Sequence, residues 1–280
     1  MRILVTGVTG QLGYDVVSCL KERQLECIGT GSSDFDLADA DAVREYLMQY
    51  RPDIVIHCAA YTNVNQAQQE QERCRAVNVD GTRAIALACR ELGAGMVYIS
   101  TDYVFPGDGT QFYETDDRKN PQCVYGRTKY EGEQAVQEIL EKYFIVRVSW
   151  TFGAHGNNFV KTMLRLGRER QEVRVVDDQI GSPSYTKDIA AVLCDIAVSE
   201  KYGVYHLTNE GVCSWAEFTQ EIFRQAGIGA KVIPIPSSEY PTPAKRPLNS
   251  RLSKRCLDEA GFARLPQWQD ALARFLKELS

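Results

Sequence analysis

A chain of 280 residues, 44% of them hydrophobic and 25% charged, with a formal net charge of -5, has the balance of an ordinary folded protein, which excludes a disordered one. The length allows one large α/β domain plus a smaller one. The negative charge, with no dense Lys/Arg stripe to offset it, excludes nucleic-acid binding by phosphate neutralisation, and the lack of a long apolar run excludes a membrane span.

The chain opens on an apolar, β-prone run at 2–6, followed by Gly7, Gly10 and Gly13. If a buried strand turns here into a helix over 11–23, the glycines let backbone N–H groups approach a pyrophosphate at the helix's positive end. The same spacing suits a junction whose glycines serve only tight packing. Further β-rich runs at 25–30, 54–59, 96–101 and 144–150 alternate with helical patterns at 39–50, 80–92 and 125–142. Such alternation predicts parallel strands with right-handed crossovers, hence an α/β, doubly wound parallel (Rossmann) sheet. Its ligands sit outside the carboxyl ends of the strands, where Gly7, Ala59, Thr101 and Trp150 emerge.

Beyond Trp150 the texture changes. Gly153, Gly156, Asn157 and Asn158 mark a loop, "DDQIGSPSYTKD" leads into a helix over 186–198, and "VYHL" offers a strand that rejoins the sheet. The segment "PIPSSEYPTPAKRP" is too rich in proline for a core helix. The expected organisation is a dinucleotide-binding domain over 1–152, rejoined by roughly 184–210, and a smaller, discontinuous mixed α/β substrate domain drawn mainly from 153–280. Nine cysteines without a Cys-x-x-Cys pair, and three dispersed histidines, predict a reduced chain without bound metal. The direct start on a strand carries no export signal, so the expected location is the cytoplasm.

The chemistry-bearing residues gather at the same sheet edge. Tyr125 and Lys129 stand four apart at the start of a helical segment, on one face and one turn apart. An ammonium there favours the ionised phenol and draws it toward the working pH, which makes the pair an acid/base unit. Thr101 ends a buried-strand pattern, where its hydroxyl can bind a carbonyl oxygen or merely satisfy local backbone. Arg246, between prolines, offers a guanidinium fork for a diphosphate or for a surface ion pair. The second strand ends in Thr30, Ser32 and Ser33 without an acidic residue to clasp a ribose 2′-OH, and no arginine stands beside it. That biases the cofactor modestly toward NADPH, with NADH as the second candidate.

These residues resemble the extended short-chain dehydrogenase/reductases, and within them the dTDP-4-dehydrorhamnose reductases. The likeness runs end to end through "GQLG", "HCAAYTNV", "STDYVF", "YGRTKYEGE", "VSWTFG", "DQIGSPSYT" and "PAKRPLNSRL". It implies a catalytic set of Thr101, Tyr125 and Lys129 acting on a dTDP-sugar, and a homodimer. For the cofactor it implies Gly7, Gly10, Gln11, Leu12 and Gly13 in the loop and Asp36 with Leu37 on the adenine side. Ala59, Ala60, Tyr61 and Asn78 would follow the channel to Tyr125 and Lys129. For the sugar nucleotide it implies Val64, Thr101, Asp102, Tyr103 and Trp150, with Arg246, Asn249 and Ser250 toward the diphosphate. Trp150 suits an aromatic plug under the second domain equally well. Similar dehydratases carry Asp-Glu where this chain has Asp102 and Tyr103, so plain reduction is favoured. Relatives often carry charges at the positions of Asn65, Gln66 and Gln68, and a serine at that of Thr128. The alternatives are a non-catalytic subunit resembling the methionine adenosyltransferase beta subunit, and another nucleotide-sugar reductase or epimerase.

Overall fold

A computed structural model describes residues 1–279 of the chain. Six parallel strands form the central sheet: β1 (Ile3–Thr6), β2 (Cys27–Thr30), β3 (Ile54–His57), β4 (Gly95–Thr101), β5 (Tyr143–Val148) and the strand Gly203–His206. From one edge the order is Gly203–His206, β5, β4, β3, β1, β2. The apolar runs are continuous because both faces are covered, and successive side chains serve opposite cores. Ile3, Val5, Ile54, Ile56, Val97 and Ile99 pack into one core and Leu4, Val55, Met96 and Tyr98 into the other. Helices Gln11–Glu22 and Thr186–Ala197 cover the first face; Ala40–Tyr50, Thr82–Leu92 and Val124–Ile139 cover the second.

The expected return of "VYHL" to the sheet is observed, with Gly203 opposite Phe144 and His206 opposite Arg147. Three details differ from the sequence reading. β3 ends at His57, because Cys58, Ala59 and Ala60 leave the ladder to line a cleft. β5 ends at Val148, and Trp150 follows with φ +48°, a left-handed backbone unusual for a bulky side chain. A π-helical turn, Ala76–Gly81, precedes helix Thr82–Leu92 and inserts one extra residue per turn.

A second core gathers Phe152, Val160, Leu164, Phe218, Trp268 and Phe275. Around it lie helices Phe159–Glu169, Trp215–Ala226 and Trp268–Leu279 and the parallel pair Glu172–Val176 with Lys231–Ile235. The boundary is more interleaved than expected: Leu257 and Leu265 return from the C-terminal part to the first core. Gln11 joins the two bodies: its Oε1 accepts from the Gly153 N–H and from Asn158 Nδ2, both at 2.9 Å. Within the first body, Thr186 Oγ1 donates to Asp15 at 2.5 Å. Among the described residues no helix is long and apolar enough to cross a membrane.

Candidate active site

At the carboxyl ends of the strands lies a cleft of about 680 Å³, a size that suits a dinucleotide. The glycine loop forms one wall. Gly7 has φ +74°, and a Cβ on it would stand 2.6 Å from Ala59 N; one on Gly13 would stand 2.4 Å from Gly7 O. These glycines therefore pack the turn against β3 and the helix, and the same closeness bares backbone to the cleft. The helix Gln11–Glu22 that follows has no acidic residue in its first turn and no side-chain cap. Its first N–H groups, at Gln11, Leu12 and Gly13 on the cleft wall, are thus open to an anion. That donor set fits a dinucleotide pyrophosphate, and both readings of the loop hold together.

Of the expected cofactor residues, Asp36, Leu37, Ala59, Ala60, Tyr125 and Lys129 also line the cleft. Tyr61 and Asn78 lie outside its lining. Asn78 is buried behind the wall, where Oδ1 accepts from the Tyr61 N–H at 2.8 Å and Nδ2 donates to Thr128 Oγ1 at 3.1 Å. The π-helical turn aims this side chain at the loop after β3, so Asn78 holds that loop in place. Sequence reasoning missed Arg73, Ala76 and Val77, which enter the cleft from the helical run before Asn78, and Gly156 and Asn157 from the second body. The spacing of 73, 76 and 77 marks one helix face, the signal that could have found them.

Tyr125 lies in the first turn of helix Val124–Ile139, with Lys129 one turn on and Glu133 another. Thr101, at the end of β4, shares a hydrogen bond with Tyr125 and donates to Asp102 Oδ1 at 3.0 Å. Burial pushes the Tyr125 phenol well above its ordinary value; the Thr101 bond opposes this and the Asp102 charge adds to it. Burial likewise drives Lys129 down to about 7 against the pull of Glu133, with its ammonium 4.0 Å from the centre of the Tyr98 ring. In the protein alone, burial is the largest influence on both groups. Tyr125 is therefore held as a proton donor.

On the substrate side, the edge of Tyr103 meets the Tyr125 ring, 5.5 Å between centroids, and its hydroxyl accepts from Arg246 Nη1 at 3.3 Å. Arg246 has no ion pair among the described residues, so the surface salt bridge is not what it forms. Asn249 and Ser250 make hydrogen bonds within the protein. Both are 1% exposed; Asn249 Nδ2 donates to the Asp108 and Gln111 carbonyls, and Ser250 Oγ donates to Asp102 at 2.5 Å. Asp102 is buried too and anchors Thr101, and burial raises its carboxyl to about 6. Trp150 stacks on Trp215 at 3.6 Å, as a plug would. Val64 starts the short helix Val64–Ala67, which Asn63 caps through the Gln66 N–H.

The model of the family described as RmlD substrate binding domain matches residues 1–280. The chain belongs to this family. It is 41% identical over 279 residues to the spore coat polysaccharide biosynthesis protein SpsK of Bacillus subtilis, covering 100% of this chain and 98% of that protein. It is also 41% identical to the dTDP-4-dehydrorhamnose reductase of Aggregatibacter actinomycetemcomitans, covering 97% of each. The crystal structure of dTDP-4-dehydrorhamnose reductase from Bacillus anthracis in complex with NADP superposes with a TM-score of 0.96 at 42% identity, covering 99% of each chain.

In this family member the buried lysine carries a stability cost with a definite pH sign. Between about 7, its folded value, and its ordinary 10.5, the unfolded chain binds a proton that the folded one does not, so this contribution to stability rises with pH. Below 7 the cost is present in full. Lys129→Met is expected to stabilise the cofactor-free protein on the order of a few kcal/mol at pH 6 and by much less near pH 10. Urea unfolding of both proteins at the two pH values checks this; a difference that does not shrink with pH would contradict it.

Proposed function

We propose that the chain reduces the 4-keto group of dTDP-4-dehydro-L-rhamnose (6-deoxy-L-lyxo-4-hexulose) to give dTDP-L-rhamnose, with NADPH as donor and the product serving cell-surface polysaccharide. The observation that carries this reading is the Tyr125 hydroxyl, bonded to Thr101 and one helical turn from Lys129 on the wall of a dinucleotide-sized cleft. The names of the relatives supply the sugar.

When bound, the dinucleotide supplies the hydride that reaches C4. Tyr125 gives its proton to O4 as that bond forms, which leaves an alcohol on the sugar and a phenolate that solvent reprotonates. Thr101 donates to O4 once its hydroxyl hydrogen, given to buried Asp102 in the protein alone, turns to the substrate. Lys129 binds the ribose next to the reacting ring and, once charged, stabilises the phenolate. Tyr103 stands where similar dehydratases carry the glutamate of their Asp-Glu pair, so the reaction stops at reduction. Arg246, free of ion pairs among the described residues and tied to Tyr103, takes the substrate diphosphate. A cytoplasmic location and a homodimer complete the reading.

The test is NADPH absorbance with purified protein and enzymatically made dTDP-4-dehydro-L-rhamnose. Oxidation equimolar with dTDP-L-rhamnose is expected. Tight NADPH binding without oxidation would reject the substrate and favour a regulatory subunit. A cofactor retained through purification without net oxidation would indicate an epimerase.

A further inference from the structure

The wall of the cleft around Thr30, Ser32 and Asp36 holds a charge problem. A 2′-phosphorylated dinucleotide brings a dianionic group to the end of the second strand. The residues there are hydroxyls and acids: Asp36 lines the cleft, and Asp34 turns its carboxylate back to accept from the Gly31 N–H at 2.8 Å. The glycine loop answers the pyrophosphate, leaving the third phosphate without a cation from its own strand.

The facing helical run supplies one. Arg73 lines the same cleft with Ala76 and Val77, and the run continues to Gly81, which packs on Leu37 so closely that a Cβ would stand 2.6 Å from the Leu37 carbonyl oxygen. Apart from Lys129, Arg73 is the cation on this wall among the described residues. Its guanidinium is uncommitted. The side chain is 74% exposed, and its one ion pair among the described residues, with Glu70, is long at 3.9 Å. The Glu70 carboxylate is already taken by Tyr61 Oη at 2.9 Å and Gln66 Nε2 at 2.6 Å. A planar guanidinium that costs little to redirect, on the wall of the same cleft as Thr30 and Ser32, suits a phosphate.

We propose that Arg73 binds the adenosine 2′-phosphate and thereby sets the preference of this protein for NADPH over NADH. The inference rests on the reading of the cleft as a dinucleotide site. Arg73 acts from outside the strand-end loop where 2′-phosphate selectivity is usually sought, and its position on an exposed helix face lets it swing from Glu70 to the ligand without disturbing the core.

The experiment is equilibrium binding of NADPH and NADH, read by cofactor fluorescence, to wild type, Arg73→Gln and Arg73→Lys. The expected result is an NADPH affinity lowered about tenfold to a hundredfold in Arg73→Gln, partly restored in Arg73→Lys, with NADH affinity changed less than about twofold. The salt dependence of NADPH binding falls in parallel. Equal loss for both cofactors would place Arg73 on the pyrophosphate and overturn the proposal, as would no change for either. If wild type binds neither dinucleotide, it is the reading of the cleft that fails.

Discussion

Tyr125→Phe is expected to lower turnover by about 10²–10⁴-fold while NADPH affinity stays within about twofold, because the phenol donates the proton and the ring alone shapes the cleft. The magnitude follows from the role. A positioned acid spares the reaction a solvent proton, and burial keeps that acid loaded. Since the phenol lies above its ordinary value of 10.0 in the protein alone, its protonation does not limit the rate between pH 6 and 9. A wild-type rate that fell across that range with the titration of a tyrosine, or a Tyr125→Phe variant keeping a tenth of the rate, would assign the proton to another group. Steady-state rates for both proteins across that range, with binding measured separately, decide between these outcomes.

Glu133→Gln is expected to cost about 3–5 kcal/mol of stability, the largest effect of any single change away from the reacting atoms. The carboxylate is bidentate to Arg147, Oε1 to Nε at 2.9 Å and Oε2 to Nη2 at 2.8 Å, and it accepts from Ser100 Oγ at 2.5 Å. Both side chains of the pair are 2% exposed. Arg147 Nη1 also donates to the Thr115 carbonyl at 2.9 Å and reaches His206 Nε2 at 3.3 Å. His206, kept neutral by burial and by the Arg147 charge, points Nδ1 at the Ser253 carbonyl. Removing one charge leaves the other buried without its partner. Replacing both with apolar residues, Glu133→Leu with Arg147→Met, is expected to cost far less, since the desolvation of both ions disappears together. Urea unfolding of the single and double variants tests the difference; equal losses would mean that the pair contributes through packing and not through charge.

This network lies directly beneath the chemistry. Ser100 precedes Thr101, and Glu133 sits one turn beyond Lys129, where its charge partly offsets the burial of the ammonium. The pair thus joins the end of β4 to the catalytic helix and to β5.

Much of this was readable from the chain itself, for a physical reason. A strand buried on both faces is a short continuous apolar run, and a helix repeats every 3.6 residues, so β1 to β5 and the flanking helices are recorded in local pattern. The glycine spacing and the four-residue step from Tyr125 to Lys129 are equally local, because the geometry that makes them useful spans only a turn or two. Tertiary structure decided what depends on residues far apart in sequence. Burial sets the direction in which Tyr125 and Lys129 are shifted, and burial belongs to the assembled core. The hydrogen-bond partners of Asn249 and Ser250, namely Asp108, Gln111 and Asp102, lie about 140 residues earlier in the chain. No arginine is near the end of β2 in sequence, yet the packing of Gly81 on Leu37 brings the helix bearing Arg73 to the same cleft. Periodicity along a chain specifies its elements; charge and proton affinity at a site depend on which elements the fold sets side by side.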